Sequence, residues 1–391
     1  MKDNLNRFPS RVAVITCQDY DAANVTQAVH RGLEYLGGVS AFAKSGEKIL
    51  LKPNMLASSA PEKAVTFHPA VFKAVAEAFL VHGVKLSYGD SPGIGRPKRT
   101  AAGCGIMPVA EELGIPLADF VNPVHVSFPG AVLLKQMQLA AGAVHSDGIF
   151  SLPKMKTHAL TRLTGAIKNQ FGCVPGFLKG EFHVKLPDIT RFSQVLTDIT
   201  RYLHPRLYIM DGIHAMSGNG PRGGDVFPMN VLLFAADPVA MDAVFCRLID
   251  LDPECVPVMK VARDSGLGTY RQEEIEIVGD DIRPLIRPDF PVKRFPVKQS
   301  KALGPIPSPF KRVLSPRPVI QQEKCLRCGD CIRQCPVNPK ALQWPDPKNN
   351  GTPVYDYSIC IRCYCCQEIC PVGAISVRNP LLGRIVHRLI D

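Results

Sequence analysis

Cys325-Leu-Arg-Cys328-Gly-Asp-Cys331-Ile-Arg-Gln-Cys335-Pro336 is written a second time as Cys360-Ile-Arg-Cys363-Tyr-Cys365-Cys366-Gln-Glu-Ile-Cys370-Pro371. Each patterned cysteine lies 35 residues from its counterpart, and Pro318-Val319 recurs as Pro353-Val354, so the segment is an internal duplication. Three thiolates separated by two residues can wrap one face of an iron–sulfur cube in a tight turn. The fourth, carried away by the chain, ligates the other cube. The spacing therefore predicts two [4Fe–4S] clusters with crossed ligands. Cys325, Cys328, Cys331 and Cys370 would hold the first, and Cys360, Cys363, Cys366 and Cys335 the second. Zinc sites favour paired C-x₂-C knuckles, and disulfide frameworks belong to small secreted chains. Cys365 falls outside the pattern and is expected to be a small packed thiol.

Residues 318–378 resemble the bacterial two-cluster [4Fe–4S] ferredoxins, down to Cys370-Pro-Val-Gly-Ala-Ile375 after the last ligand. They depart from that pattern in the first half, where Val337-Asn338-Pro339-Lys340 precedes Ala341-Leu342. This two-residue insertion should alter the turn around Cys335 without removing its thiolate.

A chain of 391 residues, 46% hydrophobic, is too long for one small core and implies at least two domains. No run of 18 apolar residues suits a membrane span, and Met1-Lys-Asp-Asn-Leu-Asn6 has no apolar signal region. Thiolate-ligated clusters fit a reducing cytoplasm. Net charge is +11, and residues 283–318 alone supply +8, from nine Lys or Arg against Asp289. The same stretch holds nine prolines, which deny it helix and central strand. It is expected to be an extended linker laid along the surface, its charge available to an acidic redox partner or an anionic membrane. Without a recognition motif or interleaved aromatics, nucleic acid is excluded as a partner. The expected organisation is an α/β domain over 1–282, a linker over 283–318, a ferredoxin-type α+β domain over 319–378 and a basic amphipathic tail over 379–391.

Upstream, strand-like runs (11–17, 48–52, 84–88, 148–152, 206–210) alternate with helical patterns near 22–36, 69–81, 107–113, 160–171, 190–203 and 238–249. Such alternation argues for an α/β domain with a largely parallel sheet covered on both faces. Polar residues follow the strands: Lys52-Pro53-Asn54, Asp90-Ser91, Lys154-Met-Lys156-Thr-His158 and Asp211-Gly212. Ligands of open α/β sheets bind outside the carboxyl ends of the strands, so these residues are expected to share a pocket. A helix beginning near Leu160 would put Thr161, Thr164 and Lys168 on one face, beside Asn169. His158, Lys156, Lys168 and Asp90 are the candidate catalytic groups. Lys52, Asn54, Lys154, Asn169 and Asp211 are the candidate cofactor-binding groups, for an anion gripped by lysines.

Lys52-Pro-Asn54, Thr66-x-His68-Pro69, Gly89-Asp-Ser91, Pro153-Lys-x-Lys-Thr-His158, Lys168-Asn169, Asp211-Gly-Ile213, Gly220-Pro221, Asp237-Pro238 and Asp242 occur in order. They resemble the domain of unknown function 362 family of iron–sulfur centre proteins over about residues 10–280. The resemblance implies fusion to ferredoxin modules and brings no established reaction. Gly218-Asn-Gly-Pro-Arg-Gly-Gly224 is expected to be a flexible surface loop rather than an anion cradle. Cys17, Cys104, Cys173, Cys246 and Cys255 show no metal spacing and should pack as small apolar groups.

Three functions remain open on this reading. The first is an iron–sulfur oxidoreductase acting on an anionic substrate or cofactor. The second is an electron carrier whose α/β domain only docks partners. The third is a non-redox enzyme with a structural or sensory cluster module.

Overall fold

Short β-branched runs flanked by turns build the strands. In chain order they are β1 (Ser10–Thr16), β2 (Lys48–Pro53), β3 (Lys85–Tyr88), β4 (Pro123–Ser127), β5 (Gln136–Ala140), β6 (Gly148–Leu152), β7 (Lys154–His158), β8 (Arg162–Thr164), β9 (Leu207–Ser217), β10 (Asp225–Ala235) and β11 (Ile275–Gly279). The helices are α1 (Ala22–Tyr35), α2 (Pro69–Leu80), α3 (Pro97–Gly103), α4 (Ile106–Glu112), α5 (Ala141–Val144), α6 (Ala166–Asn169), α7 (Leu178–Lys185), α8 (Ile189–Leu203), α9 (Pro238–Leu248) and α10 (Pro257–Asp264). This computed structural model describes residues 9–93, 95–176, 178–186, 188–297, 315–346 and 351–380.

One sheet runs in the order β11-β1-β10-β9-β6-β2-β3, with β7 beside β9 and β8 beside β7. Pairs β1–β11, β2–β3, β2–β6, β6–β9 and β7–β9 are parallel, whereas β10 runs antiparallel to both β1 and β9. Alternation along β1 sends Val12 and Val14 to one core and Ala13 and Ile15 to the other. α1 and α2 cover the second face, and α6, α8, α9 and α10 the first, so both sides of the sheet are buried, as parallel sheets require. Helix starts follow local chemistry. Asp21, Asp188 and Asp237 cap α1, α8 and α9 through their carboxylates, and Pro69 and Pro238 occupy first-turn positions where no N–H is missed.

The helix expected over 160–171 does not form as such. β7 turns into β8 as a hairpin, with Lys156 opposite Thr164 and His158 opposite Arg162. His158 Nδ1 accepts the N–H groups of Leu160 and Thr161, which fixes the turn, and Arg162 adopts φ +69° within it. Helical geometry starts only at Ala166, where Asp242 Oδ1 and Oδ2 accept the first N–H groups, those of Ala166 and Ile167.

The cysteine module is built on β12 (Arg317–Ile320) paired antiparallel with β15 (Ile375–Arg378). β13 (Leu342–Gln343) and β14 (Val354–Tyr355) pair beside it, with short helices at Asp330–Arg333 and Cys365–Ile369. It sits on the tip of the β9–β10 hairpin. Gln367 Nε2 donates to Asn219 O (2.9 Å) and Gly220 O (3.0 Å), and Asn219 Nδ2 donates to Ile375 O (2.9 Å). A Cβ on Gly223 would stand 2.4 Å from Gly373 Cα, so the two backbones touch directly. The stretch 218–224, expected to be a flexible surface loop, is therefore the contact that seats one module on the other.

Of the expected linker, residues 283–297 lie against the α/β domain. Phe290 is fully buried beside Phe227, and the Arg294 guanidinium donates to the carbonyls of Ile249, Asp250, Pro288 and Phe290. Residues 298–314 and the tail from 381 fall outside the described residues.

Candidate functional site

The two modules enclose a cavity of about 530 Å³, within the range of small-molecule sites. Near the end of β2 stands Lys52, which is fully buried. Its ammonium lies 2.9 Å from Asp90 Oδ1 and donates to Asn169 Oδ1 at 2.8 Å. Asp90, after β3, also accepts the Met55 N–H through Oδ2 at 2.7 Å. A side chain at 172 would collide with this pair, since its Cβ would lie 1.9 Å from Asp90 Oδ1, and Gly172 leaves the space open. Lys156 donates to Asn54 Oδ1 and Val65 O, both at 2.7 Å. No carboxylate opposes it among the described residues. Burial, reinforced by Lys168 and Lys154, pushes its pKa well below the ordinary lysine value.

Lys168 stands differently. Its ammonium is 5.1 Å from the Phe171 ring centroid and, among the described residues, makes no hydrogen bond or ion pair. Burial lowers its pKa against the pull of Glu368. The Thr164 hydroxyl, buried in the same wall, is also without a partner among the described residues. A buried cation and a hydroxyl that face one cavity in this way are chemically able to receive an oxyanion.

The structure thus brings Lys52, Asn54, Asp90, Lys156, His158, Lys168 and Asn169 to one cavity. It does not bring Lys154 or Asp211. These form a closed buried pair at 2.6 Å, saturated by the Tyr20 hydroxyl and the His68 and Ile213 N–H groups. His158 uses both ring nitrogens. Because Nδ1 accepts two backbone N–H groups, the neutral ring carries its proton on Nε2, 3.0 Å from Glu368 Oε1. Burial holds its pKa below the ordinary imidazole value in spite of that carboxylate.

Glu368 comes from the cysteine module, and the sequence reading missed it. Lys179 and His183 from α7 were missed too, as were Arg333, Lys340 and Cys365 from the module. Lys179 donates to Ser91 O and Pro92 O, and burial pushes its pKa down to about 8. His183 stacks on Phe192 and is held at about 4 by burial. Arg333 and Glu368 hold equivalent positions of the duplicated motif, which carries no mark of a role beyond ligation.

The eight patterned cysteines gather around two further cavities. One is lined by Cys325, Cys328, Cys331 and Cys370, the other by Cys335, Cys360, Cys363 and Cys366. This is the crossed set the spacing predicts, and four thiols converging from two loops suit the all-thiolate ligation of an iron–sulfur cube. The second cage shares Cys335 and Pro336 with the cationic cavity, and the first cage shares none of its residues with it. Cys365 lines the cationic cavity next to ligand positions.

An α/β domain whose cavity is closed by a ferredoxin-type module defines an iron–sulfur protein of the electron-transfer class. The chain belongs to the family described as Domain of unknown function (DUF362), which matches residues 49–247, and a 4Fe-4S dicluster domain matches residues 324–374. A Synechocystis sp. protein named as thylakoid-associated is 34% identical over 263 residues, covering 67% of this chain and 81% of its own. A crystal structure of a Thermotoga maritima protein aligns at 14% identity with a TM-score of 0.36, over 65% of this chain and 61% of that one. The chain thus spans less than two thirds of that structure. No helix among the described residues is long and apolar enough to cross a membrane.

Proposed function

We propose that this protein is an iron–sulfur oxidoreductase acting on a small anionic molecule bound between its two modules. The carrying observation is the shared wall. The cavity that Lys168 and Thr164 face, neither with a hydrogen-bond partner among the described residues, is bounded by Cys335 and Pro336, which also line the second cysteine cage. Two [4Fe–4S] clusters, one per cage, would supply single electrons at low potential, all ligands being thiolates. Lys168 is assigned to neutralise the charge of the anion, and Thr164 to donate a hydrogen bond to it. Asn54 and Asn169 hold Lys156 and Lys52 in place, which keeps the cationic wall rigid. Lys179, with its pKa near 8, is the group best poised to give up a proton at neutral pH. His158, engaged at both nitrogens, positions Glu368 at the mouth between the modules.

The reading as a pure electron carrier gives Lys168 and Thr164, without hydrogen-bond partners among the described residues, no task. We place the protein on the reducing side of the cell, where thiolates persist. The thylakoid-associated relative fits contact of the basic 283–318 stretch with an anionic membrane surface.

Anaerobic purification followed by mass spectrometry of bound small molecules tests the assignment. Wild type should retain an anion. Lys168→Met should lose it at least about tenfold, the worth of one charge-assisted hydrogen bond, with its iron content unchanged. Equal retention by both proteins would remove the cavity from the function.

A further inference from the structure

The two cysteine cages differ in exposure. In the first, Cys328 is exposed and Cys325 half-buried. In the second, Cys335 and Cys366 are buried, and Cys360 and Cys363 half-buried. Around the first cage the surface is apolar. Leu326 and Val372 line it and are 65% and 41% exposed, and Val354, next to the cage residue Pro353, is 51% exposed. Scattered single apolar residues need no explanation, but two exposed ones lining the cage of an exposed cysteine, with a third flanking that cage, do. Lys324 and Arg327 stand among them, exposed and, among the described residues, without a carboxylate partner. Of the nearby acids, Asp330 is engaged by Arg333, and Glu323 is exposed beside Lys324.

We propose that this surface is the docking site of a small acidic electron-carrier protein, seated on Leu326, Val354 and Val372 and steered by Lys324 and Arg327. Apolar centre and charged rim is the anatomy of a transient protein interface. The sign of the rim, on a chain of net charge +11, selects an acidic occupant. The position suits the task, because an occupant here lies against the exposed Cys328 and leaves the cationic cavity behind the second cage open. The inference rests on the electron-transfer module and does not require the anion assignment.

The test uses the full-length, cluster-loaded chain and a plant-type [2Fe–2S] ferredoxin as the acidic probe, with binding measured by calorimetry. Affinity should fall at least about tenfold between ~0.02 M and ~0.3 M salt. Leu326→Glu and Arg327→Glu should each weaken it by about tenfold or more, with iron content and EPR spectra unchanged. Lys324→Glu, which precedes the first ligand, covers the case in which Arg327→Glu loses iron. Lys260→Glu, the same charge change at an exposed position of α10, should leave affinity within about twofold. Salt-independent binding, equal weakening by Lys260→Glu, or no effect at 324, 326 and 327 would overturn the proposal. So would a homodimer abolished by Leu326→Glu, since the patch would then belong to a second copy. Loss of anion retention in Lys168→Met is read in a separate assay, so the two assignments fail independently.

Discussion

Asp242 shows how one buried carboxylate sets the geometry of the cavity without lining it. Its two oxygens accept the N–H groups of Ala166 (2.7 Å) and Ile167 (3.2 Å), which anchors the short helix that carries Lys168 and Asn169. Burial pushes its pKa from 3.8 up to about 7, with the two N–H donors pulling the other way and Asp237 adding to the rise. A folded-state pKa above the unfolded one means that the fold binds the proton more tightly. That contribution to stability is complete below about 3.8 and is lost as pH rises through about 7. Asp242→Asn keeps one oxygen to accept and has nothing to titrate. The melting-temperature difference, wild type minus variant, should therefore shrink steadily between pH 5 and pH 8. A constant difference across that window would show that Asp242 titrates as an ordinary exposed carboxylate.

At the scale of elements, the fourth cysteine of each motif decides how the cages couple. Cys335 leaves the first motif to line the second cage, and there it also borders the cationic cavity. Cys335→Ala should lower iron from about eight to about four per chain, with the first-cage cluster retained. EPR would separate the two centres, and loss of the first-cage signal alone would contradict the crossed arrangement. The grouping of the eight cysteines around two cavities was legible in the sequence because the spacing of such cysteines is a short-range property. So was the strand-end placement of Lys52 and Asp90, since apolar runs followed by polar turns mark where parallel strands stop. The hairpin Lys154–Thr164 was not legible. Its Thr161 and Thr164, with Lys168 beyond it, fit a helical period, and the turn depends on His158 accepting two N–H groups. Lys154 and Asp211 were misassigned for a related reason. Strand-end position does not say which charge has found a partner in the fold, and these two had found each other. Glu368, Lys179 and Arg333 reach the cavity only through long-range docking, of which no local pattern speaks.

At the scale of the whole molecule, the two modules are joined by the chain over 283–318, by the hairpin tip at 218–224 and by the contact of His158 with Glu368. The basic, Pro-rich composition suggested an exposed tether, but its first part is engaged. Arg287 donates to Asp289 and Pro228 O, and Arg294 donates to four carbonyls. A bond whose arginine is held this way enters a protease cleft poorly. Limited trypsin digestion of the folded protein should therefore spare the bond between Arg294 and Phe295; Arg287 precedes Pro288 and is no trypsin site. Lys298, Lys301, Lys311 and Arg312 supply trypsin sites at which the chain between the modules can be nicked. The fragments should stay together on gel filtration, because Asn219, Arg222 and Gln367 still bind across the interface and Glu368 still faces His158. Gly223→Val places a branched side chain where Gly373 leaves no room, so the same nicked protein should then separate into two pieces. Separation of nicked wild type would mean that the chain alone holds the modules together. The cavity, which needs both, would then be a transient site.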